Sequence, residues 1–185
     1  MPRWLPVTTD PLLTGRAKLI LATCAGLIIA VWSLVLMWLL SGDLQAVTVI
    51  VAIAFSVMLL CIMVVSRSGR TALAAWLLIV LLGLVTVFDA TYYGIGAPDI
   101  VVFVLPIVLA ACLIGLAAGM IMAVLGAIVT WGLAVGAMQG WLEVAIPFQI
   151  DHLTFYAPVI SIIFLLTALI VGWWSRYTSA LMRRG

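Results

Sequence analysis

Residues Ile100 to Leu142 read IVVFVLPIVLAACLIGLAAGMIMAVLGAIVTWGLAVGAMQGWL, an uninterrupted run without a charged side chain between Asp99 and Glu143. A helix rises about 1.5 Å per residue, and about 20 apolar residues cross a hydrocarbon core of roughly 30 Å, so the run is long enough for two crossings. The reversal between them is expected at Gly115-Leu-Ala-Ala-Gly119, where two glycines permit backbone angles that other residues resist. Both outer ends of the pair then face one side. A re-entrant hairpin would place its ends the same way, and the length of the run favours two full crossings.

The rest of the chain agrees with a membrane reading. Hydrophobic residues make up 68% of the chain and charged ones 8%, against about a quarter charged in soluble domains. Mean hydropathy is +1.43. The expected class is an all-α, polytopic integral membrane protein, in which each helix satisfies its own backbone and strands are not expected. A net charge of +2 is too small to imply a nucleic-acid partner. Cys24, Cys61 and Cys112 fall inside apolar runs, with no spacing suited to a metal or a disulfide, and read as small buried hydrophobes.

Taken in order, Met1 to Lys18 carries Pro2, Pro6 and Pro11 with three basic residues and is expected to be an irregular basic arm, 1-18. A six-helix membrane domain, 19-174, follows, with spans at about 19-40, 44-65, 71-93, 98-114, 118-138 and 154-174. The first run is too long for a signal-peptide core, and no small-residue cleavage site follows it. A connector, Gln139 to Leu153, mixes large apolar residues with single acids and is expected to rest in the interface. The tail, 175-185, is basic. In this arrangement Arg3, Arg16, Lys18, Arg67, Arg70, Arg176, Arg183 and Arg184 all fall on one side, and five of the six acids on the other. The excess of Lys and Arg marks the cytoplasmic side, so both termini are expected there.

Residues that could carry chemistry are few. Asp89 lies one helical turn below Tyr92 and Tyr93, and an Asp inside a membrane must face other helices or water. With Asp99 it could line an outward pocket for a cation or small ligand; alternatively its carboxylate simply snorkels from a helix end. His152 beside Asp151 is too little for a metal site without further ligands, although an axial role toward a tetrapyrrole is conceivable, and the plain reading is a solvated loop histidine. No nucleophile triad and no phosphate-binding loop is present, so no catalytic residue, no metal site and no enzyme activity is expected, and no cofactor is specified. Gly132, Gly136 and Gly140 recur every four residues and form a smooth face where another helix can pack, of this chain or of another. Pro106, in the middle of the fourth span, is expected to kink it.

The stretches Tyr92-Tyr-Gly-Ile-Gly-Ala-Pro98, Leu105-Pro-Ile-Val-Leu-Ala110 and Leu113-Ile-Gly-Leu-Ala-Ala-Gly119 resemble the six-helix membrane input regions in front of some bacterial sensor histidine kinases and nucleotide cyclases. The likeness covers spans three to six by motif and the first two by hydropathy. It implies a sensory or interaction module in a bacterial cytoplasmic membrane and carries over no ligand residues. In that family the last helix runs into a coiled coil and an output domain, whereas here the sequence ends eleven residues after Trp174, which suggests either a free-standing relative or an excerpt. The expected function is therefore a non-enzymatic module that associates laterally with a partner membrane protein or a second copy, as a sensor input or accessory subunit. The alternative is a small transporter or channel with an outward-facing site near Asp89, which is disfavoured because no charge lies deeper in the spans.

Overall fold

The computed structural model describes residues 11–42, 46–93, 103–141 and 156–182. They form six helices: α1 (Pro11–Ser41), α2 (Ala46–Arg67), α3 (Thr71–Tyr93), α4 (Val104–Leu113), α5 (Leu116–Met138) and α6 (Ala157–Met182). No strand occurs among the described residues. All but α4 are long and apolar enough to cross a membrane, which makes this an all-helical, multi-pass membrane protein. The chain divides into two compact units, Met1–Leu78 and Ile79–Gly185, with the division falling inside α3.

In unit 1, α1 packs against α2. Their short connection makes them antiparallel neighbours, and the pairing is fixed by the Trp32 indole, whose N–H donates to Ser56 Oγ at 3.1 Å. Ser56 in turn donates to the Ala52 carbonyl at 2.7 Å. The buried residues of α2 are Ala52, Ser56, Leu59, Ile62 and Ser66, a spacing of three and four that places them on one narrow face. Elsewhere the two helices present large apolar side chains outward, Leu40 at 80% exposure among them.

Unit 2 is built differently. Its helices α4, α5 and α6 each pack against both of the others. The shortest lies innermost: Pro106, Ile107, Leu109, Ala110, Ala111 and Leu113 of α4 are all buried. It ends at Gly115, whose φ of +135° and ψ of 176° define a conformation open essentially to glycine alone. The Gly115 N–H donates to Ala110 O at 3.0 Å, and α5 begins at the next residue.

Four boundaries differ from the sequence expectation. The basic arm ends earlier, because α1 already starts at Pro11. Proline is acceptable at a first helical position, where its missing N–H would have no intrahelical partner. At the other end α6 runs through Trp174 to Met182, since nothing between Ser175 and Met182 breaks a helix. The Gly115 reversal occupies two residues rather than five, with Gly119 already inside α5. Finally, the fourth span, expected over 98–114, is helical among the described residues only across α4, ten residues long and about 15 Å.

Candidate functional site

The C-terminal turns of α3 hold the first candidate. Leu82, Thr86 and Ala90 are buried and follow one another at four-residue spacing. Thr86 donates its hydroxyl proton to Leu82 O at 2.8 Å, and Thr91 donates to Phe88 O at 2.6 Å, so both hydroxyls are satisfied within the helix. Asp89 is half-buried at the edge of this face, and it is not without a partner. Tyr92 and Tyr93 close α3. Their side chains, and Asp99 altogether, lie outside the described residues, as do Glu143, Asp151, His152 and most of the interfacial connector. Of the Asp89, Tyr92, Tyr93 and Asp99 set, the structure therefore places Asp89 alone in its surroundings.

The second candidate is the helix contact surface of unit 2. On α5, a Cβ added to Gly119 would stand 2.8 Å from Ala111 Cβ and 3.2 Å from Ala111 Cα, so α4 and α5 touch backbone to backbone there. A Cβ on Gly126 would stand 2.8 to 2.9 Å from the rings of Phe103 and Phe164. Those rings pack against each other with centroids 5.6 Å apart and a tilt of 32°, a favourable aromatic geometry. On α6, Gly172 lies against Leu116, whose Cβ would be 3.0 Å from an added methyl. Between the same two helices the Trp131 N–H donates to Ser161 Oγ at 3.2 Å, and Ser161 donates to Ala157 O at 2.8 Å. Thr130, almost fully buried, donates to Gly126 O at 2.8 Å.

The glycines singled out by their four-residue spacing play unequal parts. Gly136 is buried in the helix interior face. Gly132 is exposed, with nothing within 4 Å of an added Cβ. Gly140 lies beyond the helix at φ +72°, donating to Ala137 O at 3.2 Å while the Trp141 N–H donates to Gly136 O at 2.9 Å. Those two bonds form a Schellman cap, so Gly140 ends α5 rather than packing against another helix. Pro106 is the third residue of α4, close to where the described residues begin, and a kink there would involve residues outside the described ones.

The tight glycine contacts were missed by the sequence reading, although a signal was present: Gly119 and Gly126 are seven residues apart, two turns along one face, with Ala118, Met122 and Ala123 buried on the same side. No group of three metal-ligating side chains occurs among the described residues, and the three cysteines are free. What the described contacts of unit 2 join is apolar, indole and hydroxyl groups, which position helices. Comparison of the chain with family models, with curated proteins and with solved structures gives no match.

Proposed function

We propose that this protein is a non-enzymatic module of a bacterial cytoplasmic membrane, with both termini cytoplasmic, that works by lateral association with a partner membrane protein or a second copy, as a sensor-type input or an accessory subunit. One observation carries the reading. Glycine inside a helix costs about 1 kcal/mol relative to alanine, and α5 recovers that cost at Gly119 and Gly126 through close approach. Gly132 is set outward, with open space beside it. A small residue on an outer face, flanked by the exposed Ile128, Trp131 and Val135, supports the approach of a helix from another chain.

Substituting Gly132 with isoleucine tests this. The expected result is loss of the associated species on cross-linking in native membranes, with the thermal midpoint of the isolated protein unchanged. Unaltered cross-linking would end the proposal for this face. Orientation has its own test in a cysteine-free background: a cysteine at Ser68 is expected to resist an impermeant label applied from outside, and one at Gly42 to react. The reverse pattern would place the termini outside.

A further inference from the structure

We propose that the end of unit 1 bearing Arg16, Lys18 and Arg70 binds the head group of an anionic phospholipid of the surrounding bilayer. The Trp32–Ser56 hydrogen bond sets the relative height of α1 and α2. Counting along the helices from it, Lys18 lies about 21 Å away, Arg16 about 24 Å, and Arg67 on the neighbouring antiparallel helix about 16 Å in the same direction. Arg70 follows Arg67 through one tight turn, in which Ser68 N donates to Val64 O at 3.0 Å and Gly69 N to Ser66 O at 3.3 Å, with Gly69 at φ +86°. Arg16, Lys18, Arg67 and Arg70 are all exposed, so four cations gather at one end of a two-helix pair. The sequence of unit 1 holds five Lys and Arg against two acids, Asp10 and Asp43.

A further feature favours a phosphate-bearing ligand. Ala74 N donates to Arg70 O at 3.0 Å, which makes Arg70 the residue that opens α3. The N–H groups of the next three residues have no acceptor within the helix and carry its positive dipole end beside the Arg70 side chain. Ser66, next to Arg67, continues the buried face of α2 that meets α1, and its hydroxyl is fully buried without a hydrogen-bond partner among the described residues. It is a spare donor on the buried face of α2, one residue before Arg67.

The neighbouring side chains define the ligand as a lipid rather than a free ion. Immediately inward of the cations the surface is apolar and open, with Leu19 at 40%, Leu73 at 47% and Val64 at 66% exposure. A molecule that carries its negative charge directly above hydrocarbon matches both layers, and basic residues at a membrane surface attract such head groups.

The test places the full chain in nanodiscs of phosphatidylcholine alone or with phosphatidylglycerol. Thermal unfolding is read by tryptophan fluorescence, and retained lipid by mass spectrometry after mild extraction. Phosphatidylglycerol is expected to raise the unfolding midpoint and to co-purify. The variant R16Q/R70Q should lose the midpoint gain and retain about 25-fold less phosphatidylglycerol, whereas R16K/R70K keeps both. Soluble glycerol phosphate at the same concentration should leave the midpoint unchanged. If the double glutamine variant does not insert, R16Q and R70Q singly, each expected to lower retention about fivefold, decide the matter. A wild-type midpoint indifferent to phosphatidylglycerol, a gain that survives the glutamine variants, or an equal gain from glycerol phosphate would overturn the assignment.

Discussion

Trp32 donates to Ser56 in unit 1 and Trp131 donates to Ser161 in unit 2, at 3.1 and 3.2 Å, and each serine hands its own proton to a carbonyl four residues earlier. The same polar rung thus ties α1 to α2 and α5 to α6, but its surroundings differ. In α1 the glycines Gly15 and Gly26 have nothing within 4 Å, and the pair meets along one narrow face. In unit 2, Gly119, Gly126 and Gly172 are each pressed against a side chain or backbone of another segment. The contrast separates two roles. The rung keeps an indole N–H from being left unsatisfied in hydrocarbon and sets register, whereas glycines set how near two helices come.

The largest effect that would break this comparison is at Gly126. Replacement by leucine must displace the Phe103 and Phe164 rings, and the expected loss is about 3 kcal/mol or more, read by unfolding in mixed micelles. Gly26→Ala in unit 1 meets open space and should stabilise by up to about 1 kcal/mol. If both changes act alike, the glycines of the two units do not differ in role. A smaller effect sharpens the comparison: Ser56→Ala and Ser161→Ala each strand a tryptophan N–H, at an expected cost of about 0.5 to 1.5 kcal/mol in the same assay. Costs that match in the two units would confirm that the rung works independently of how closely its helices approach; a cost confined to unit 2 would tie it to the glycine packing.

How much of this could be read from the sequence follows from what lipid hides. Hydropathy placed the five long helices, and Gly115 announced the reversal, because a glycine between two apolar runs has a definite backbone meaning. The start of α1 was misjudged because Pro11 was taken as a breaker, although a first helical position accepts proline. The end of α6 was misjudged because the tail was assigned by its charge, and charge does not stop a helix. The inward face of α5 could not be seen by amphipathic pattern, since both lipid and protein sides of such a helix are apolar. Spacing then drew attention to Gly132, Gly136 and Gly140, while the residues with the tightest contacts were Gly119 and Gly126. Asp89 was legible as the acid nearest the membrane interior, but whether Tyr92, Tyr93 and Asp99 join it depends on folding of the chain after α3, which no local pattern encodes.

The two-residue reversal at Ile114 and Gly115 also decides which part of the chain lies nearest to cover α4. The ten described residues of α4 rise only about 15 Å, and their buried face is covered by segments that lie later in the chain, α5 and α6. A ribosome delivers α4 first, when neither cover exists. Because the junction leaves no slack, the first turns of α5 are the nearest of those covers along the chain, with Gly119 against Ala111. The angle at Gly115 thus makes α4 and α5 a folded-back pair whose mutual cover is built into adjacent stretches of chain.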